Sequence, residues 1–343
     1  MEAPALIRVA QSMMAPGKGL LAIDESTGTC DRRFASAGIA RTAEMRRAYR
    51  DLLVTTPGLG ASISGAILYD ETIRQQTLDG RSFVEAIESA GIIPGIKVDL
   101  GAVELAGHPG ERVTEGLDGL RERLKNYSAM GARFAKWRAV LAIGGGLPST
   151  ACMEVNAHGL ARYAALCQES GLVPIVEPEV LMDSDHTLAR CAAVTQEVLH
   201  RVFEQLHVQG VELDAMILKP NMVLPGLDCP VQDSVQEVAA ATLQCLLRAV
   251  PAAVAGIAFL SGGQSGDQAT ARLRAMHASQ GPAAAGLPWP LTFSFGRALQ
   301  EPALEVWAGR NENRTAAQRA LLRRAGENGA ALRGDFCTGT ERA

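Results

Sequence analysis

Eight short apolar runs alternate with helical segments along almost the whole chain, and this alternation limits the possible folds more than any other feature. Each run is short enough for a buried strand and is followed by polar or turn residues. The runs recur at intervals of roughly 30–45 residues, which leaves room for a helix between successive strands. Strands separated by helices run parallel, because each helix carries the chain back to the same end of the sheet. The strand-like runs are 19–23, 62–68, 92–96, 133–141, 172–176, 215–218, 255–260 and 291–295.

Helical spacing of apolar residues marks the segments between these runs. The predicted helices are 1–14, 41–54, 82–90, 117–130, 156–170, 187–208, 234–250, 267–279 and 312–332. Ser82 is a plausible N-cap and Gly91 a plausible stop for one of them. The segment 101–116 is rich in glycine and predicts a loop.

Eight strand-helix units favour a closed barrel over an open sheet. The chain of 343 residues suits an α/β fold of the (β/α)8 TIM-barrel type with additional N- and C-terminal helices. An open doubly wound sheet is the alternative, and it would place a Gly-x-Gly-x-x-Gly loop after the first strand. Residues 24–28 lack that loop. We therefore expect one barrel domain over residues 1–333 and a short flexible tail over residues 334–343.

Composition argues against several classes of partner. A net charge of −4 with both signs dispersed gives no electrostatic basis for binding nucleic acid or a membrane surface. No apolar run approaches the roughly 20 residues of a membrane span. Residues 1–20 lack the apolar core of a signal peptide, so we expect a cytoplasmic protein. The seven cysteines and six histidines form no Cys-x-x-Cys or His-Glu-x-x-His pattern, so we expect no metal site. We expect no cofactor either.

Charged or phosphate-competent residues follow nearly every apolar run. In a barrel the carboxyl ends of all strands meet at one rim, so these residues should surround one opening. Several of them lie two residues apart and therefore share a face of an extended strand. They are Asp24, Lys97, Lys136 with Arg138, Glu177 with Glu179, Lys219, the segment Ser261-Gly262-Gly263, and Ser294 with Arg297.

Lys219 is the member of this set with the clearest chemical use. It ends the apolar run 215–218, and Pro220 follows at once, so regular pairing stops there. A buried ammonium is costly, and burial or a neighbouring cation frees the amine as a nucleophile toward a ketone. The alternative is a lysine that leaves the strand and reaches water. The acid/base groups Asp24 and Glu177 on the same rim favour the nucleophile.

Two groups of residues are suited to phosphate. The loop 261–266, Ser-Gly-Gly-Gln-Ser-Gly, opens a helix, and its free backbone N–H groups can hold an anion that Arg297 clamps. A second anion could be bound by Lys97, Arg138, Arg32 and Arg33. The combination of a reactive lysine with these groups indicates a phosphorylated carbonyl substrate.

The motifs at the strand ends closely resemble those of class I fructose-1,6-bisphosphate aldolase, the metal-independent Schiff-base type. The resemblance extends from about residue 5 to about residue 330. It rests on seven segments in the same order: Leu-Ala-Ile-Asp-Glu-Ser-Thr-Gly (21–28), Gly-Ile-Lys-Val-Asp (95–99), Phe-Ala-Lys-Trp-Arg (134–138), Pro-Ile-Val-Glu-Pro-Glu (174–179), Leu-Lys-Pro-Asn-Met-Val (218–223), Phe-Leu-Ser-Gly-Gly-Gln-Ser (259–265) and Leu-Thr-Phe-Ser-Phe-Gly-Arg-Ala-Leu-Gln (291–300).

The resemblance implies a role for each matching residue. Lys219 would form the Schiff base, and Glu177 would be the acid/base of carbinolamine formation and dehydration. Asp24 would handle the C4 hydroxyl proton, while Lys136, with Glu179 beside it, would stabilise developing charge. The C1-phosphate site would comprise Ser261, Gly262, Gly263, Ser294, Gly296 and Arg297, and the C6-phosphate site Lys97, Arg138, Ser26 and Thr29. The resemblance further implies a homotetramer and cleavage of fructose 1,6-bisphosphate to dihydroxyacetone phosphate and glyceraldehyde 3-phosphate in glycolysis and gluconeogenesis.

The chain departs from the family pattern in three places. Phe295 stands where a tyrosine is usual, and Arg32-Arg33 replaces a lysine-arginine pair. Well-known members end in a tyrosine that protonates the enamine, whereas this sequence ends at Ala343 and its last tyrosine is Tyr163. Either another group or water would then protonate the enamine, or that step would be slow.

Two other functions remain open at this point. One is a different Schiff-base aldolase, acting on a sugar with a single phosphate or on a longer sugar. The other is a barrel that binds sugar phosphates without catalysis, which the presence of Asp24, Lys136, Glu177 and Lys219 disfavours.

Overall fold

A computed structural model of the chain describes residues 3–279 and 286–333. Eight parallel strands form a closed barrel in the order β1-β10-β9-β8-β7-β6-β3-β2. These strands are β1 Gly19–Ala22, β2 Ile63–Leu68, β3 Ile93–Lys97, β6 Phe134–Leu141, β7 Val173–Val180, β8 Ile217–Leu218, β9 Gly256–Phe259 and β10 Leu291–Phe295. Each overlaps one of the predicted runs, so the (β/α)8 barrel is confirmed and the doubly wound alternative is wrong. The tail expected at 334–343 lies outside the described residues.

The helices occupy the outside of the barrel and its N-terminal end. Their bounds are α1 Ala3–Met13, α2 Thr27–Ser36, α3 Ala43–Val54, α4 Asp70–Ile73, α5 Phe83–Ser89, α6 Leu120–Ala129, α7 Thr150–Glu169, α8 Leu188–Val208, α9 Val235–Ala249, α10 Gly266–Ala278, α11 Arg297–Trp307 and α12 Arg314–Arg333. Ser82 caps α5 in a reciprocal capping box with Glu85, as its position in the sequence predicts. Within the described residues no helix is both long and apolar enough to cross a bilayer.

Several elements differ from the sequence prediction, which lacks the short helices α2 and α4 as well as the elements described next. The segment 101–116 is not a simple loop, because β4 Gly101–Glu104 and β5 Arg112–Glu115 pair as an antiparallel hairpin beside the barrel. The glycines and the proline that surround these strands indicate a loop, and strands of four residues are too short to show clear alternation. Helix α11 is absent from the prediction because Pro302 lies inside it, and an internal proline normally argues against a helix.

The barrel interior changes from apolar to charged along the strands. On β7 the side chains of Val173 and Ile175 belong to the interior apolar cluster, and Glu177 and Glu179 follow at the same two-residue period. Helix α1 packs its Leu6 and Met13 against this cluster. The N-terminal half of the barrel is therefore filled with side chains, and the charged groups are gathered toward the C-terminal end.

Glycines on neighbouring strands make room for the largest interior ring. A Cβ on Gly95 would lie 2.2 Å from Cε2 of Phe134, and a Cβ on Gly65 would lie 3.2 Å from Cε1 of the same ring. Phe134 is fully buried. The missing Cβ atoms let this ring pack across β2 and β3, directly below Lys97 and Lys136 in the strand register.

Candidate active site

One open pocket of about 590 Å³ lies at the C-terminal end of the barrel. It is lined by every residue to which the family resemblance gave a role. These are Asp24, Ser26, Thr29, Lys97, Lys136, Arg138, Glu177, Glu179, Lys219, Ser261, Gly262, Gly263, Ser294, Gly296 and Arg297. The convergence follows from the closed barrel, since residues far apart in sequence follow strands that end at the same rim.

Lys219 lies at the bottom of this pocket as part of a chain of alternating charges. Its Nζ is 3.0 Å from Oε1 of Glu177, and Oε2 of Glu177 is 3.1 Å from Nζ of Lys136. Nζ of Lys136 is also 2.6 Å from Oδ2 of Asp24. All four side chains are nearly inaccessible to solvent. The lysine therefore does not reach water as the alternative interpretation required, because its ammonium end is held by a buried carboxylate.

The ion pairs among these side chains keep Asp24, Glu177 and Lys136 in their charged forms. Burial alone would raise the pKa of Asp24 and of Glu177, but the neighbouring ammonium groups of Lys136 and Lys219 outweigh it and lower both values. Burial likewise opposes the charged form of Lys136, and the carboxylates of Asp24 and Glu177 raise its pKa despite that cost. Both carboxylates are therefore ionised at neutral pH, and Lys136 is a permanent cation between them.

The loop 261–266, termed here the phosphate loop, forms one side of the pocket. Gly262 adopts a left-handed φ of +57°, which a residue with a side chain rarely tolerates, and Ser265 caps α10. The Gly263 N–H donates to Sδ of Met182 at 3.0 Å. Arg297 donates to the Gly262 carbonyl at 3.4 Å. The loop is thus tied to two pocket-lining side chains.

Ser294 lies beside the phosphate loop, because it is near the end of β10 and β10 pairs with β9, the strand that precedes the loop. Its side chain is almost fully buried, yet its hydroxyl finds no hydrogen-bond partner in the described part of the chain. A buried hydroxyl without a partner is costly unless a ligand completes it. The position of this hydroxyl in the pocket lining fits a contact to a bound anion.

A second basic group lies across the pocket from the phosphate loop. Lys97 forms an ion pair with Asp99 at 2.7 Å, and the Arg138 guanidinium forms an ion pair with Glu179. These partners hold the two cations at the rim. Ser26 and Thr29 begin α2 on the same side, and the Ser26 hydroxyl lies 3.2 Å from that of Thr29. Arg32, which the sequence placed in the same basic group, donates to Thr29 but does not line the pocket.

Sequence reasoning missed Glu25 as part of the site. Its buried carboxylate lines the pocket and accepts from Arg33 at 2.5 Å and from Gln300 at 2.7 Å, and it pairs with Arg50 at 2.7 Å. The adjacent acid Asp24 was the only local signal. The partners of Glu25 come from distant segments, so no spacing rule could have identified them.

No metal site appears among residues 3–279 and 286–333, where no group of three or more His, Cys, Asp or Glu side chains could hold an ion. Lysines, arginines and carboxylates are the titratable groups that line the pocket. An amine beside a carboxylate that can accept its proton suits covalent attack on a carbonyl group. Two flanking groups of anion ligands suit a substrate that carries a phosphate at each end.

Comparison with known proteins agrees with this chemistry. The family model described as "Glycolytic: Fructose-bisphosphate aldolase class-I" matches residues 5–343. A "Probable fructose-bisphosphate aldolase class 1" of Xanthomonas campestris pv. campestris is 56% identical over 332 residues, which cover 96% of this chain and 98% of the relative. "Fructose-bisphosphate aldolase 4, cytosolic" of Arabidopsis thaliana is 50% identical over 96% of this chain and 83% of the relative.

A solved structure shows the same fold. The fructose-bisphosphate aldolase of Plasmodium falciparum, crystallised in complex with TRAP and a small-molecule inhibitor, superposes with a TM-score of 0.95. It is 47% identical to this chain, with 98% of this chain and 96% of that chain covered. The chain therefore belongs to the family of class I fructose-bisphosphate aldolases, which are lyases of glycolysis.

Proposed function

We propose that the chain cleaves fructose 1,6-bisphosphate reversibly to dihydroxyacetone phosphate and glyceraldehyde 3-phosphate, with Lys219 as the Schiff-base lysine. The observation that supports this assignment most directly is the chain of contacts from Lys219 through Glu177 and Lys136 to Asp24. It gives the buried amine a proton acceptor at 3.0 Å and gives that acceptor a compensating cation. The proposed pathway serves glycolysis and gluconeogenesis.

The first step is formation of the Schiff base. Glu177 accepts a proton from the Lys219 ammonium, and the free amine attacks the C2 carbonyl of the substrate to form a carbinolamine. Glu177 then returns its proton to the carbinolamine hydroxyl, which leaves as water while the nitrogen lone pair forms the C=N bond. The Lys136 ammonium stays charged beside Glu177 and stabilises the negative charge that develops on oxygen.

The second step is cleavage of the C3–C4 bond. The ionised Asp24 accepts the proton of the C4 hydroxyl, and the C3–C4 electron pair moves into the iminium to give an enamine. The aldehyde leaves, and protonation of the enamine at C3 followed by hydrolysis releases dihydroxyacetone phosphate and restores Lys219. Glu179 supports this geometry from the same face of β7, where its carboxylate pairs with Arg138.

The two phosphates hold the sugar across the pocket in this proposal. Ser261, Gly262 and Gly263, with Ser294, Gly296 and Arg297, bind the C1 phosphate. Lys97, Arg138, Ser26 and Thr29 bind the C6 phosphate on the opposite side. Two anchored ends place C2 near Lys219 and C4 near Asp24, which is how positioning lowers the barrier.

We also infer a single folding domain over residues 1–333, a metal-independent reaction, a homotetrameric assembly and a cytoplasmic location. The cytosolic relative of Arabidopsis thaliana supports the location. Sedimentation equilibrium measures the assembly directly, and a monomer would contradict it. Activity that survives prolonged dialysis against EDTA supports the metal-independent reaction.

The experiment that tests the mechanism is borohydride trapping. Dihydroxyacetone phosphate with borohydride should reduce the imine to a stable secondary amine, and peptide mapping should locate it on Lys219. Lys219→Arg keeps the charge but cannot form the imine, so it should give neither adduct nor turnover. An adduct on Lys97 or Lys136 would reject Lys219 as the nucleophile.

A comparison of substrates tests the second phosphate site. If Lys97 and Arg138 bind the C6 phosphate, kcat/KM for fructose 1,6-bisphosphate should exceed that for fructose 1-phosphate. Lys97→Met should reduce the first value and leave the second almost unchanged. Equal values for both sugars in the unsubstituted enzyme would favour an aldolase for monophosphate sugars.

A further inference from the structure

Helix α10, beneath the phosphate loop, carries a buried cation. This cation takes no part in the contacts that link Lys219 through Glu177 and Lys136 to Asp24. Arg272 is buried, and no carboxylate of the described residues forms an ion pair with its guanidinium. Burial lowers its pKa, with no opposing carboxylate to raise it. Its Nε also lacks a hydrogen-bond partner among those residues. A buried charge without a partner lowers the free energy of unfolding. We therefore expect this charge to have a function that offsets the loss of stability.

The guanidinium of Arg272 contacts a single side chain of the phosphate loop. Its Nη1 donates to Oε1 of Gln264 at 2.8 Å, and Gln264 is itself buried. An arginine can only donate, so it selects the amide orientation in which the oxygen of Gln264 faces the helix. The NH2 group of Gln264 must then point toward the loop.

The Gln264 NH2 group holds the loop in its observed shape. Nε2 donates to the Ser261 carbonyl at 3.0 Å, and the backbone N–H of Gln264 donates to the same oxygen at 3.1 Å. With that carbonyl bound from below, the turn through Gly262 and Gly263 lies along the pocket. Free N–H groups of such a turn are the ligands that hold a phosphate.

We propose that Arg272 is a positioning residue for phosphate binding, which fixes the Gln264 amide beneath the phosphate loop and adds an uncompensated positive charge to that site. This inference rests on the proposed function, since it takes the loop as the C1-phosphate site. Arg272 does not line the pocket, so it acts through Gln264 and through its electric field. The stability lost by burying the charge is balanced by tighter binding of an anion.

Arg272→Met tests the proposal, because methionine fills similar space without charge. We expect KM for fructose 1,6-bisphosphate and the inhibition constant of inorganic phosphate to rise about 10-fold, with kcat changed less. The denaturation midpoint should stay equal or rise, since a buried unpaired charge has been removed. A merely structural arginine would give the opposite pattern, a lower midpoint with unchanged phosphate inhibition. Arg272→Lys keeps the charge and should recover part of the affinity.

Arg274→Met is the matched control. It removes the same charge from the same helix two residues away, which is about 200° around the helix axis. It should leave KM and phosphate inhibition close to those of the unsubstituted enzyme. An equal loss of phosphate affinity in both variants would overturn the proposal, because it would show that only the net charge of α10 matters.

Gln264→Glu tests the same contact without removing the arginine. The glutamate can pair with Arg272 but cannot donate to the Ser261 carbonyl, so the protein should fold and bind phosphate more weakly. Gln268→Glu adds the same charge at an exposed position of α10 and is its control. If Gln264→Glu keeps normal KM and phosphate inhibition, the proposal is wrong. Absence of fructose 1,6-bisphosphate cleavage by the unsubstituted enzyme would instead reject the proposed function.

Discussion

The Lys136 ammonium lies 2.6 Å from the carboxylate of Asp24, and both groups are buried. The same ammonium is 3.1 Å from Glu177, so a single cation neutralises two acids that act at different steps of the proposed mechanism. Either acid would be expensive to keep ionised in this pocket without it. The positive charge of Lys136 therefore allows Asp24 and Glu177 to remain ionised in the same buried pocket.

Lys136→Met should disable catalysis by leaving two buried carboxylates without their shared partner. The pKa of Asp24 and of Glu177 should rise, and kcat should fall by at least about 100-fold at pH 7. The free energy of unfolding should fall by about 3–5 kcal/mol, as when one partner of a buried pair is removed. Steady-state kinetics and urea denaturation measure the two effects. Lys125→Met is the control, since its exposed pair with Glu122 should contribute almost nothing.

Glu177→Gln should separate imine formation from substrate binding. The amide cannot accept the proton of Lys219 or return it to the carbinolamine, so kcat should fall about 100- to 10,000-fold. KM should change little, because Glu177 contacts Lys136 and Lys219 rather than the phosphate loop. Rapid-quench borohydride trapping should show a slower appearance of the Lys219 adduct. An unchanged trapping rate would show that another group moves this proton.

The lowered pKa values of the two acids predict how stability depends on pH. Asp24 and Glu177 have lower pKa values in the folded protein than in the unfolded chain, because burial is outweighed by Lys136 and Lys219. Their contribution is complete above about pH 4–5, the range of the unfolded values, and is lost as pH falls toward the folded values. Lys136 has a raised pKa, so its contribution persists until pH exceeds about 10.4.

Denaturation midpoints measured between pH 2 and pH 7 should therefore fall steeply on the acid side. Asp24→Asn removes one of the two groups and should make this decline shallower. Asp79→Asn is the comparison, because Asp79 is exposed and pairs with Arg81 at the surface. An unaltered acid slope in Asp24→Asn would mean that the buried pair does not link protonation to folding.

The sequence predicted the barrel and the gathering of charged residues at one rim, because both depend on local order. Each strand end combines an apolar run with a charged residue, and the closed barrel brings those ends together without further information. Glu25 and Arg272 were not found, since their importance arises from tertiary contacts. The partner Gln300 lies 275 residues from Glu25 in the chain. The burial of Arg272 depends on how α10 packs, which its periodicity does not reveal.

A pair of glycine substitutions should separate packing from backbone effects in the barrel. In Gly95→Ala the new methyl would lie 2.2 Å from Phe134 Cε2, so the ring or β3 must shift. Overpacking of this kind costs about 1–3 kcal/mol. Because Lys97 follows two residues later on β3, kcat/KM for fructose 1,6-bisphosphate should also fall. In Gly159→Ala, within α7, nothing lies within 4 Å of the new methyl.

Gly159→Ala should therefore stabilise the protein by about 0.5–1 kcal/mol through its helix propensity alone. Its kinetic constants should be unchanged, because α7 lies on the outside of the barrel. Urea denaturation and steady-state kinetics of both variants give the comparison. A stable, fully active Gly95→Ala would show that Phe134 can repack freely, and the close fit of this ring would then not position Lys97. Loss of stability in both variants would point instead to a general sensitivity of the chain to glycine replacement.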